Sequence, residues 1–429
     1  MQTKAIWFLF FFVSTEAFGF RRAEWGGLGT GNMGWFGLAQ LMLMGIAAIA
    51  VPRGLCYLYR NRRTAIGSTA LLIGLLPVYL VFVTILRAAL ASDISFGEMF
   101  RNLLSAKGLI FVFLLAYLIS LKNGFKTALN ATSVFSLVSA ISILIILLFQ
   151  IETAVVTSST SSDITRFFRA LFPTGFLVAV GWMLFLSRYI VLGGSTNIVA
   201  SMLCLCATIV QFHRSVLAAT FFTILAFALW VIFSKRRGES PRKLLVTSLF
   251  ITAGVSVGFI VSSTNSDLAG YLFESINEFM LGSGNSGHRF NIVANSWSYV
   301  VSDTFGFGLG LDWERVEEMR TYLETSFVAG PTLDSSYSNI VISSGIPGVA
   351  LYLMFVVSMF RLSSIKAMRA DAPLQRVFAL FLRMFLIFIL VVGLGTDIVL
   401  LTSASTLFTL LLVAAVSLQN HRLKKRFSK

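Results

Sequence analysis

About twelve apolar runs, each roughly 17 to 25 residues long, follow one another along the chain, and a run of that length spans the hydrocarbon of a bilayer when coiled as a helix. They fall at 5–20, 33–52, 65–86, 108–121, 128–150, 172–192, 195–211, 215–233, 244–262, 336–360, 377–396 and 398–418. With 56 % hydrophobic and only 12 % charged residues, the chain lacks the polar residues to cover the surface of a soluble globule. The expectation is an all-α integral membrane protein of about 12 transmembrane helices, a single polytopic membrane domain over 1–429. The first run is kept as a span because "FGFRRAEW" follows it instead of a small-residue cleavage site. Cys56, Cys204 and Cys206 have no metal or disulfide spacing and read as small hydrophobes.

Basic residues set the orientation. With the N-terminus inside, the inner loops hold Lys4, Arg53, Arg60, Arg62, Arg63, Lys122, Lys126, Arg188, the run "KRRGESPRK" (235–243), Arg361, Lys366, Arg369, Arg376 and the tail "RLKKRFSK". The net charge of +15 therefore reflects topology and contact with an anionic inner leaflet, not nucleic-acid binding. Both termini are expected in the cytoplasm.

The longest connection, 263–335, lies between the ninth and tenth spans on the outer (periplasmic) face. Long loops held by a rigid scaffold tend to be functional, so chemistry is expected there. Two shorter outer segments, "SFGEMFRNLLSAK" and "SDITRFFRALF", read as helices lying on the membrane surface. Within the long loop, Phe290, Val293, Trp297, Val300 and Val301 recur at helical spacing, with Asn291, Asn295, Ser298 and Ser302 opposite them. This predicts an amphipathic helix over 289–302, with Arg289 at its start. The glycines Gly306, Gly308 and Gly310 end that helix and permit a tight turn. A phosphate-binding glycine loop is a poor reading, since neither the preceding strand nor a following Lys-Ser/Thr is present.

"SGHRFNIVANSWSYVVSDTFGFGLG", followed by "DSSYSNIVISSGIPGVALYL" at the entry to a span, resembles the O-antigen ligase and O-antigen polymerase family of bacterial polysaccharide assembly. "QFHRSVLAA" (211–219), at the outer end of a hairpin, resembles a second family segment, with Arg214 as its arginine. Val293 stands where family members often have Trp, and Thr304 and Phe305 where a Pro often precedes the glycine turn. Ligases usually carry a His-Asn pair where this chain has Asp334, which favours a polymerase over a ligase.

The resemblance implies transfer of a glycan from an undecaprenyl diphosphate carrier to an acceptor hydroxyl in the bacterial inner membrane, without metal or cofactor. Arg214 and Arg289 become the diphosphate ligands, because a permanently charged fork matches phosphate oxygens bidentately. Asp334 or His288 becomes the proton acceptor. His213, Tyr337 and Arg383 are supporting candidates. The implied partners are the undecaprenyl diphosphate-linked oligosaccharide and membrane lipid, with a chain-length regulator and a flippase beside them. Each residue also has a structural reading. Arg214 caps a hairpin, Arg289 snorkels to water, the two histidines are polar loop residues, and Asp334 is the N-cap of the next span. Arg383, inside an apolar run, requires a partner or a cavity.

Three rival functions fit a chain of this kind. Ligase-type transfer to a lipid acceptor differs only in the acceptor. A twelve-span transporter predicts related halves and a midplane site, and no internal repeat is visible. A metal-dependent polyprenyl-phosphate glycosyltransferase wants a carboxylate pair in the first outer loop, where only Glu24 stands.

Overall fold

The computed structural model describes residues 2–14, 35–60, 67–90, 107–121, 123–148, 172–209, 214–233, 296–297, 304–306, 308, 335–363 and 373–395. Among them the regular structure is entirely helical. In chain order the helices are α1 (Gln2–Ser14), α2 (Trp35–Arg60), α3 (Gly67–Leu90), α4 (Lys107–Ser120), α5 (Gly124–Leu148), α6 (Phe172–Leu192), α7 (Ser195–Ile209), α8 (Arg214–Phe233), α9 (Ser336–Leu362) and α10 (Pro373–Gly395). Three stretches, Gly124–Ile145, Ser336–Arg361 and Pro373–Leu394, are long and apolar enough to cross a membrane, and shorter apolar helices accompany them. The chain is a multi-pass membrane protein. Each described helix coincides with an expected apolar run; the expected spans 244–262 and 398–418 and both surface helices lie outside the described residues. Several boundaries shift by about a turn, and one by more: the run expected to end at Pro52 continues as helix to Arg60, so Pro52 is accommodated without a break.

α6 is the core element. Phe176 through Ser187 are all buried, as expected of a helix apolar on every side. α5, α7 and α10 pack on it. Close approach depends on small residues, because in lipid dispersion and hydrogen bonding draw helices together. A Cβ on Gly181 would lie 2.5 Å from Ser136 Cβ and 3.0 Å from Cys204 Sγ. Ser136 Oγ donates to Leu177 O at 2.8 Å, and Ser201 Oγ to Trp182 O at 2.8 Å. Cys204 is thus a buried packing residue. A second cluster gathers α1 onto its neighbours: Phe11 stacks on Phe135 with centroids 4.9 Å apart, and Phe10 meets Phe111 edge-on. Outward-facing Phe8, Ile49, Phe82, Phe221 and Leu353 form the apolar exterior suited to lipid.

The short turn joining α4 to α5 and the contacts between helix ends sort the basic residues. Arg53 donates to Tyr117 Oη at 3.1 Å near the ends of α2 and α4, and Arg188 donates to Asn130 Oδ1 at 3.0 Å where α6 ends and α5 begins. Phe125 meets Phe378, which brings the start of α10 to the same end. The opposite end holds the close of α3, the start of α9 and the close of α10.

Candidate functional site

The site end of the bundle is built around a break in α9. Gly345 has φ 58° and ψ −161°, a region that only glycine occupies readily, and a Cβ there would collide with the Thr304 carbonyl oxygen. Helix resumes at once, with Pro347 in the first turn of the second half, where its fixed φ is favourable and its missing N–H costs nothing. The break nevertheless orphans two backbone groups. Ser343 O would accept from residue 347 in an unbroken helix, but proline has no N–H; Ile346 N is cut off from the preceding turn. In a membrane such groups must find partners within the protein.

Residues 304–308 supply both partners. Gly308 N donates to Ser343 O at 2.9 Å, and Ile346 N donates to Thr304 O at 3.0 Å. Gly306 and Gly308 have φ of 80° and 81°, so the turn depends on left-handed backbone at two nearby positions. Both are buried against neighbouring backbone: a Cβ on Gly306 would lie 2.5 Å from Gly345 N, and one on Gly308 2.8 Å from Thr84 Cα. The glycine turn expected from the sequence is present at Gly306 and Gly308, and its partner is a broken helix.

α3 closes the third side. Tyr79 Oη donates to Phe305 O at 3.2 Å, and the half-buried Arg87 donates from Nε to Gly306 O at 3.0 Å. Sequence reading missed Tyr79, Thr84 and Arg87. Arg87 carried the one usable signal, a cation at the edge of an apolar span, which is stable there only with a partner or at the interface.

The first half of α9 is polar yet buried. Ser335, Ser336, Ser338, Asn339, Ser343 and Ser344 are all buried. Ser335 Oγ donates to Gly393 O at 3.3 Å, and Tyr337 Oη donates to Leu390 O at 2.6 Å, so α9 is riveted to the end of α10. Ser338 Oγ is buried without a hydrogen-bond partner.

Of the residues singled out from sequence, Arg214 opens α8, after the hairpin expected between α7 and α8. Arg289, His288, His213 and Asp334 lie outside the described residues. The capping role considered for Asp334 is corrected: the N-cap of α9 is Ser335, whose side chain makes no cap bond and reaches α10 instead. Tyr337 is a rivet between helices, its hydroxyl engaged by a carbonyl. Arg383 has a partner, since its guanidinium lies over the Trp230 ring of α8 at 5.8 Å, though its Nη1 is buried without a hydrogen bond. Ten residues separate Arg383 from Gly393, about 15 Å of helix, so it stands well below the glycine turn. Of the expected 289–302 helix, residues 296 and 297 are described and helical, Ser296 buried and Trp297 46 % exposed. The indole therefore faces outward. Among the described residues, no group of three or more His, Cys, Asp or Glu is placed to hold a metal ion.

The glycine turn and the broken helix are thus one unit, made by two segments that the sequence separates by some thirty residues. The comparison with curated proteins returned no match. Residues 199–353, which contain α8, the turn and the break in α9, match the family model described as O-antigen ligase, so this part of the chain is similar to that family.

Proposed function

We propose that the protein is a polysaccharide polymerase that transfers glycan repeats from an undecaprenyl diphosphate carrier to an acceptor hydroxyl, on the outer face of the bacterial inner membrane. One observation carries the reading. The turn at 304–308 is hydrogen-bonded into the break of α9. Arg289 precedes that turn by fifteen residues, and Asp334 directly precedes Ser335, the N-cap of α9. This docking supports a site in which the segment bearing Arg289 meets the segment bearing Asp334, with Arg214 contributed from the start of α8.

In this mechanism Arg214 and Arg289 grip the diphosphate, whose negative charge grows as it leaves. The acceptor hydroxyl oxygen bonds to the anomeric carbon, the bond from that carbon to the diphosphate oxygen breaks, and the hydroxyl proton passes to Asp334. His288 is the alternative proton acceptor. Undecaprenyl diphosphate departs with the electron pair, so the step needs no redox partner. The first-turn amides of α9 add a donor-rich helix end beside the reacting groups. Asp334, at the position where ligases usually carry His, favours a growing glycan over a lipid as acceptor. Membrane lipid surrounds the carrier, and a flippase and a chain-length regulator are the partners that accompany such a reaction in the cell.

The test is reconstitution in liposomes with a lipid-linked repeat oligosaccharide as the only glycan. A ladder of products longer than one repeat, with free undecaprenyl diphosphate released, is expected from wild type. Arg214→Lys and Arg289→Lys should each abolish it, since an ammonium keeps the charge but not the fork. Transfer of single repeats to an added lipid acceptor, without a ladder, would instead identify a ligase. Full ladders from both lysine variants would sink the shared diphosphate site.

A further inference from the structure

The part of the chain matched to the family does not hold its glycine turn unaided. Four polar backbone groups of the turn are satisfied in two ways. Thr304 O and Gly308 N are bonded by the backbone of α9, while Phe305 O and Gly306 O are bonded by side chains of α3, an element outside 199–353. We propose that Tyr79 and Arg87 are positioning residues for glycan transfer: by holding two successive carbonyls of the turn, they set where the Arg289 segment stands relative to Asp334. This rests on the function proposed above.

The geometry favours a fixed seat over loose packing. Phe305 and Gly306 are consecutive, so donors at both carbonyls leave the turn little freedom to rotate. Thr84 lies between the two donors in sequence and presents its Cα to Gly308, a contact that any side chain at 308 would obstruct. α3 also packs directly along α9, so the helix that holds the turn and the helix that receives it move together. The backbone bonds to α9 fix how the turn pairs with the break; the side chains of α3 fix how it is tilted. Placement matters because an error of about 1 Å in a reacting group can lower turnover roughly 100-fold.

The experiment uses Tyr79→Phe and Arg87→Lys in the full-length protein in liposomes. Phe removes one hydroxyl, and Lys keeps the charge while losing the Nε–H directed at Gly306 O. Two quantities are read: amide hydrogen exchange in peptides covering 304–308 and 343–348, and kcat and KM with lipid-linked repeat oligosaccharide. Each variant is expected to exchange faster in both peptides, with kcat lowered roughly 10- to 100-fold and KM changed by less than about threefold. Unchanged exchange would show that α3 does not hold the turn, and faster exchange with undiminished kcat would show that holding it does not matter; either overturns the proposal while the glycan-transfer reading stands. A fall in kcat without faster exchange would make the two residues substrate contacts and overturn it as well. If wild type transfers no glycan, the function itself fails, and the catalytic half of this proposal falls with it; the exchange data then decide the structural half.

Discussion

At the scale of single residues, the most informative position is Asp334. Ser335 occupies the N-cap of α9 and uses its hydroxyl on Gly393 O, so the N-cap position itself does not fall on Asp334. Asp334→Asn should therefore leave thermal unfolding unchanged and abolish polymer formation, as gel analysis of cell-surface glycan would show; normal polymer lengths would move the base role to His288. Sequence alone did not separate the two readings, because every residue of the Asp-Ser-Ser run caps helices well and only tertiary contact chooses among them. Arg383 poses a question of magnitudes. A cation over an indole contributes about 0.5 to 2 kcal/mol. A charged residue near the middle of a membrane helix costs about 2.5 to 3.5 kcal/mol. The cost exceeds the gain, so Arg383→Leu should stabilise the protein by roughly 0.5 to 3 kcal/mol, the spread of differences between those ranges, read as a raised Tm. A lowered Tm would show that the contact with Trp230 outweighs that cost.

At the scale of elements, α9 and α2 make a controlled comparison. Both contain proline, yet α2 runs straight through Pro52, whereas α9 breaks at Gly345. Proline alone is therefore insufficient here; the glycine conformation makes the break, and Pro347 keeps Ser343 O from being reclaimed by its own helix. Pro347→Ala restores that competing N–H. Its expected effect is a stability lowered by no more than about 1 kcal/mol, since Pro347 sits in a first turn that suits its ring, together with loss of glycan transfer as the turn loses its acceptor. Melting curves and ladder assays check the two halves, and full transfer by a protein of unchanged stability would show that the break is dispensable. The Gly-Ile-Pro-Gly step was legible in the sequence as a family-like feature, and the glycines as a turn. That the two belong together was not legible, nor was the part played by α3, because the partners of Phe305 and Gly306 lie 226 and 219 residues away and no local pattern encodes such a pairing.

At the scale of the whole molecule, the apolar runs were read almost directly, since bilayer thickness imposes one length on every span. Arg53 and Arg188 lie toward one end of the bundle, and the glycine turn occupies the other. A reporter enzyme fused near residue 238 should be active in the cytoplasm and one near residue 275 outside it. Activity of the 275 fusion in the cytoplasm would put the proposed chemistry on the wrong face.

The seat of the glycine turn also imposes an order of events during synthesis. α3 leaves the ribosome early, with Tyr79 and Arg87 already on it, yet their acceptors are translated more than two hundred residues later, and the broken helix that completes the seat follows about forty residues after that. A nascent chain stopped before Gly345 carries both halves of the α3 contact but lacks the surface on which the turn rests. The glycine-turn end of the bundle is therefore completed only once α9 has been inserted. Until then the membrane holds an unfinished protein whose open end is available to insertion chaperones and membrane proteases.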